Sequence, residues 1–221
     1  MTNKEILNRI DHTLLKMTAS WQEIKTLCDE AVKYQTASVC IPPSYVKPVH
    51  NAYGSALNIC TVVGFPLGYN ITAAKVLETE YALLSGAGEI DMVINLGDIK
   101  NGNFEYVLEE IKLIKKKCGE KILNVIIETC YLTENEKIRM CEIVTEAGAD
   151  FIKTSTGFGT AGATLADIEL FKKHIGSNVK IKAAGGLKTR EDLEAFINAG
   201  AARIGTSSAV KLLTGGNAAG Y

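Results

Sequence analysis

The sequence predicts an α/β chain folded as a (β/α)8 TIM barrel, on three observations. Eight short β-branched runs recur along its 221 residues, and nearly every one is followed by a segment with helical apolar spacing. Several runs are apolar on both faces, as parallel strands covered by helices are. No linker or shift of composition divides the chain, so the alternation reads as a single barrel domain over residues 1–221, with a flexible tail from about residue 214. The first and last units are the weakest, which keeps a doubly wound open sheet as the alternative.

The strand-like runs fall at residues 9–11, 38–41, 58–63, 89–94, 123–127, 150–153, 179–182 and 202–205. After the first run, Ser20 to Glu23 forms a capping box, and the helix it opens continues through Ile24, Leu27, Cys28 and Ala31. Pro42-Pro43 interrupts the alternation after the second run. Asn103 caps a further helix with Phe104, Val107, Leu108 and Ile111 on one stripe. Thr133 to Glu136 is a second capping box, ahead of Ile138, Cys141, Val144 and Ala147. Gly86, Gly148 and Gly200 stand where helices should stop.

Composition narrows the function. The balance of 24 Lys+Arg against 25 Asp+Glu, with no basic run, argues against a nucleic-acid partner. No stretch approaches the roughly 18 apolar residues of a membrane helix, and the charged start is neither a signal nor a transit peptide. The six cysteines show no CxxC pair and lie in apolar segments, which reads as reduced thiols in a cytoplasmic protein. His12, His50 and His174 are too far apart for a zinc site; His12 and His50 read as structural.

Four charged residues sit in strand-like runs where a strand interior should be apolar: Asp11, Asp91, Lys153 and Lys182. Burying any of them alone costs several kcal/mol. Adjacent strands lie about 4.8 Å apart, which brings the two lysines together. Two ammonium groups about 6 Å apart repel by about 2.8 kcal/mol at an effective dielectric near 20. That is roughly 2 pKa units, enough to leave one amine partly neutral and nucleophilic toward a carbonyl. Asp91 could compensate the second charge and move protons. Which lysine attacks is left open by this reasoning.

Gly185-Gly186 and the run from Gly205 to Ser208 follow the last two strands, where barrels commonly bind phosphate. Plain turn chemistry is the competing reading. Gly157 to Gly162 matches GxGxxG, but only two βα units remain after it, too few for a nucleotide domain, so it reads as a mobile loop beside the site.

The segments around Asp11, Cys40, Asp91, Lys153-Thr154-Ser155-Thr156-Gly157, Lys182-Ala183-Ala184-Gly185-Gly186 and Arg203-Ile204-Gly205-Thr206-Ser207-Ser208 together resemble the deoxyribose-phosphate aldolase family, in family order over almost the whole chain. The resemblance implies a class I aldolase that reversibly cleaves 2-deoxy-D-ribose 5-phosphate into D-glyceraldehyde 3-phosphate and acetaldehyde, with no metal and no organic cofactor. It implies Lys153 as the Schiff-base nucleophile, Lys182 as the neighbour that tunes it, and Asp91 as the proton donor and acceptor, supported by Asp11. It also implies Gly185, Gly186, Ser207 and Ser208 as the phosphate site. Cys40 matches a family cysteine near the pocket, with an inert core thiol as the competing reading. Phe158 stands where some relatives carry a lysine, so no charge there can serve phosphate. The terminal Tyr221 matches a family feature in which the tail folds over the pocket. The implied partners are a phosphorylated sugar and acetaldehyde; a homo-oligomer is left open. Another Schiff-base sugar-phosphate aldolase or transaldolase, and a phosphate- or NADP-binding protein, are the competing classes.

Overall fold

A computed structural model describes residues 1–215. Eight parallel strands close into a barrel in sequence order, β1 (Ile10–Thr13), β2 (Ser38–Ile41), β3 (Ile59–Val63), β4 (Glu89–Val93), β5 (Ile122–Ile126), β6 (Phe151–Lys153), β7 (Lys180–Ala184) and β8 (Arg203–Thr206). Pairing of Ile10 with Ile204 and of Asp11 with Gly205 seals β1 to β8. That closure excludes the open sheet.

The helices are α1 (Asn3–Leu7), α2 (Trp21–Tyr34), α3 (Val46–Tyr53), α4 (Thr72–Leu84), α5 (Leu96–Lys100), α6 (Phe104–Cys118), α7 (Glu134–Glu146), α8 (Leu165–His174), α9 (Arg190–Ala199) and α10 (Ala209–Thr214). Among the described residues, none is long and apolar enough to cross a membrane. Their apolar stripes and the outward faces of the strands form one continuous core, including Ile24, Leu27 and Cys28 of α2 and Val107, Leu108 and Ile111 of α6. A second, smaller cluster of Leu15, Cys40, Cys60 and Val62, with Phe65 packed on it, separates from that core.

The capping boxes at Ser20 and Thr133 both form. Two more occur, Thr2 with Glu5 and Thr189 with Asp192. Asn103 occupies the N-cap position of α6 without capping it; its amide donates to Asp98 Oδ1 at 3.1 Å instead. The interruption expected at Pro42-Pro43 is brief. A 3-10 turn over Pro43–Tyr45 leads directly into α3, and Pro48 falls in the first helical turn, where a missing N–H breaks no intrahelical bond. Thr214, read as the start of the tail, is the last residue of α10, and Leu213 before it is buried. Tyr221 lies outside the described residues.

Candidate active site

The strand period of two turns Asp11, Glu89, Asp91, Lys153, Lys182 and Arg203 into one buried ion network. Lys153 of β6 and Lys182 of β7 are directly paired in register, and Lys182 is paired with Arg203 of β8. Asp91 sits between the lysines: Lys153 Nζ donates to its Oδ2 at 2.5 Å, and Lys182 Nζ to its Oδ1 and Oδ2 at 2.8 and 3.0 Å. The two ammonium nitrogens thus share one carboxylate oxygen. Lys182 also pairs with Asp11 Oδ2 at 2.5 Å. Arg203 binds Asp11 Oδ1 through Nε at 2.8 Å and through its Nη2, and reaches Glu89 Oε1 at 3.1 Å. Three cations face three anions among the described residues, so the network is close to neutral without a counterion.

Each group's proton affinity follows from its neighbours. Burial would raise the Asp91 carboxyl, but the Lys153 and Lys182 charges hold it far below the usual carboxylate range. Burial likewise opposes the ionisation of Asp11, and Lys182 and Arg203 overcome it. For Lys182, burial acts to lower the ammonium; Asp11 and Asp91 outweigh burial and raise it well above the ordinary lysine range. Lys182 is therefore held as an ammonium ion, because Asp11 and Asp91 outweigh its repulsion by the neighbouring cations. Burial, then the charge of Asp11, raises the Glu89 carboxyl. Fully buried Lys182 meets two carboxylates, whereas Lys153 Nζ has Asp91 as its one hydrogen-bond partner among the described residues.

Cys60 Sγ donates to Asp91 Oδ1 at 3.2 Å, and Cys40 Sγ lies 4.0 Å from Oδ2. Cys40, Cys60 and Asp91 thus bring three ligand-type atoms within 4.8 Å of one another. The set fits a metal poorly. Asp91 already carries two ammonium groups that would repel a divalent ion, and burial, Cys40 and the Asp91 charge push the Cys60 thiol well up. All six cysteines are free, and five of them are buried.

Gly185 and Gly186 follow β7 with φ of 80° and 82°, a region open to glycine at little cost. Ser208 is turned into the protein, with its Oγ 3.0 Å from Thr206 Oγ1 and 3.5 Å from Leu187 O. This last bond links the loop after β8 to the loop after β7. Ser207 lines a cavity of about 600 Å³ with His12, Thr13, Leu14, Phe158 and Lys211. Lys153, Lys182 and Asp91 do not line this cavity; they are buried within the barrel. Phe158 packs edge-on against Phe65, with ring centroids 5.3 Å apart.

The end of the GxGxxG loop packs against the turn after β7. A Cβ on Gly162 would meet the Gly185 carbonyl at 2.3 Å, and Ala163 N–H donates to Ala184 O at 3.0 Å. Close packing at Gly159 and Gly162, and a φ of 88° at Gly157, account for these glycines without a nucleotide. His12 is structural and has a partner, Glu30 Oε2 at 2.8 Å from its Nε2; the His50 ring packs against Gly86.

Sequence reasoning missed Arg203, Glu89 and Cys60. The signals were available: Glu89 is two residues before Asp91 on the same strand face, and Arg203 is a third cation near a strand end.

Comparison with known proteins places this geometry. The model of a family described as DeoC/LacD family aldolase matches residues 6–220. The chain is 63% identical over 221 residues, the whole of both chains, to a deoxyribose-phosphate aldolase of Clostridium botulinum (strain Alaska E43 / Type E3). It is 61% identical over 210 residues to one of Clostridioides difficile (strain 630), covering 95% of this chain and 96% of the relative. Among solved structures, QR15, an aldolase, superposes with a TM-score of 0.91 at 39% identity, covering 96% of this chain and 95% of the other. A deoxyribose phosphate aldolase from Aeropyrum pernix, described as having a unique tetrameric structure, superposes with a TM-score of 0.88 at 30% identity, covering 96% and 91%.

Proposed function

The chain belongs to the DeoC/LacD family of aldolases, and from that premise we propose that it reversibly cleaves 2-deoxy-D-ribose 5-phosphate to D-glyceraldehyde 3-phosphate and acetaldehyde through a lysine Schiff base. This makes it a carbon–carbon lyase of deoxyribose phosphate catabolism. The observation that carries the reading is the unequal pair of barrel lysines bridged by Asp91.

Lys182, held by Asp11 and Asp91, is the fixed cation. Lys153, with one partner, is the amine available to react. Its nitrogen adds to the C1 aldehyde of the sugar, and water leaves to give an iminium, an electron sink. The C3 hydroxyl then gives up its proton and becomes a carbonyl. The electrons of the C2–C3 bond pass to the iminium, releasing glyceraldehyde 3-phosphate and leaving an enamine. Protonation at C2 and hydrolysis free acetaldehyde and restore the amine. Asp91, in contact with both lysines, relays these protons through water. Asp11, fixed by Arg203 and by Ser38 Oγ at 2.8 Å, orients Lys182. The main chain at Gly185 and Gly186, with Ser207 and Ser208, anchors the phosphate and orients the reacting carbons from a distance.

Self-association belongs to the same proposal. Leu77, Tyr81 and Leu84 lie along one face of α4 and are all more than half exposed, and the Aeropyrum pernix relative is described as tetrameric. The free thiols support a reducing, cytoplasmic setting. The test is acetaldehyde release from 2-deoxyribose 5-phosphate: the native chain should turn over, and Lys153→Ala should lose activity to background. Full activity in Lys153→Ala would overturn the assignment.

A further inference from the structure

Glu128 lies just past β5, on no face the ion network uses. It is one of two non-glycine residues with positive φ among the described residues, at 50°; the other, Gln35, ends a helix. A side chain in that region costs roughly 1–2 kcal/mol, so neighbouring contacts must enforce it. The contacts are present. Ile127 N–H donates to Lys153 O at 3.0 Å and Thr129 N–H to Thr154 O at 2.9 Å, which clamps Glu128 between two ladder bonds to the end of β6.

The residue is 3% exposed, and its carboxylate makes no hydrogen bond to either barrel lysine. It accepts instead from Thr156: from the main-chain N–H at 3.1 Å on Oε1 and 3.3 Å on Oε2, and from the hydroxyl. The Thr156 hydroxyl oxygen in turn accepts from Phe158 N–H at 2.9 Å. The loop then lies against Glu128, since a Cβ on Gly159 would fall 3.2 Å from its carboxyl carbon. The far side of the same loop meets the glycine turn after β7: a Cβ on Gly185 would stand 3.1 Å from Gly162 Cα and 3.7 Å from Gly157 Cα. Contacts therefore run without a break from Glu128 through residues 156–162 to Gly185.

We propose that Glu128 is a positioning residue that fixes the loop between Lys153 and the Gly185–Gly186 turn, and that preference for a phosphorylated over an unphosphorylated sugar depends on it. The inference rests on the phosphate assignment given above. Burial raises the Glu128 carboxyl, against the Thr156 hydrogen bonds and the Lys153 charge.

The test compares kcat/KM for 2-deoxyribose 5-phosphate and for 2-deoxyribose in the native chain, Glu128→Ala and Glu128→Gln, alongside borohydride trapping with acetaldehyde. Glu128→Ala should lose roughly tenfold or more of its preference for the phosphorylated sugar, chiefly through KM. Its turnover of the unphosphorylated sugar and its trapping should stay within about twofold of native. Glu128→Gln keeps an acceptor for the Thr156 N–H and should recover most of the preference. If Glu128→Ala does not fold, Thr156→Val removes the hydroxyl donor from the other side and should lower the preference in the same direction. An equal fall for both sugars, or an unchanged preference, would overturn the role of Glu128. A native chain that is trapped by acetaldehyde yet shows no preference would overturn the phosphate assignment itself, and this inference with it.

Discussion

Replacing Lys182 with methionine tests the ion network directly. The substitution removes a fully buried cation from two carboxylates, Asp11 at 2.5 Å and Asp91 at 2.8 Å. At an effective dielectric of about 20, each contact is worth about 6 kcal/mol of Coulomb attraction, most of which offsets the desolvation of the three charges. The net cost of breaking a buried pair is about 3–5 kcal/mol, because the partners stay buried. At about 2–4 °C per kcal/mol for a chain of this size, Tm should fall by roughly 6–20 °C. The pH dependence has a definite sign. In the native chain Lys182 depresses both carboxyls, so their contribution is present above the unfolded carboxylate pKa and is lost as pH falls through the folded values. In Lys182→Met those folded values rise, and protonation relieves the unpaired charge. The deficit should therefore be largest near pH 8 and shrink as the solution is acidified toward pH 5. Urea denaturation across that range, with m unchanged, reads it. A loss below about 1 kcal/mol, or a deficit that does not vary with pH, would refute the network account.

Three further substitutions probe other parts of the structure. Gly162→Ala drives a Cβ to 2.3 Å from the Gly185 carbonyl; it should cost about 1–3 kcal/mol in urea and raise KM for the phosphorylated sugar, and a variant with both unchanged would contradict the loop packing. Lys75→Met leaves Glu110, its 2.8 Å partner, buried without a counterion; a loss of about 3–5 kcal/mol is expected, with much of it recovered in Lys75→Met/Glu110→Leu, as a double-mutant cycle would read. Thr133→Ala removes the α7 capping box and should lower the unfolding free energy measured in urea by about 1 kcal/mol, leaving turnover unchanged.

The barrel could be read from sequence because its parallel strands are apolar on both faces and its helices carry regular stripes. The least accurate assignments have local causes. β1 runs to Thr13 rather than stopping at Asp11, because His12 and Thr13 carry no apolar signal although both are buried by the helices and the barrel mouth. α3 was hidden by three prolines that happen to fall before it or in its first turn. The capping box at Thr189 was missed because Asp192 replaces the expected glutamate. In the site, Asp11, Asp91, Lys153 and Lys182 stood out as charges inside apolar strands. Arg203 and Glu89 begin their strands, where charge is unremarkable; only closure of the barrel brings Arg203 onto both Asp11 and Glu89. Glu128 was unreadable because its role comes from a backbone conformation and a loop contact that no pattern encodes.

On the proposed mechanism Lys153, and not Lys182, is the amine that attacks. Borohydride reduction in the presence of acetaldehyde, followed by peptide mass mapping, tests it in one step. The account predicts a two-carbon adduct on the peptide carrying Lys153, with Lys182 unmodified. An adduct on Lys182, or no adduct in a chain that still turns over the sugar phosphate, would contradict it.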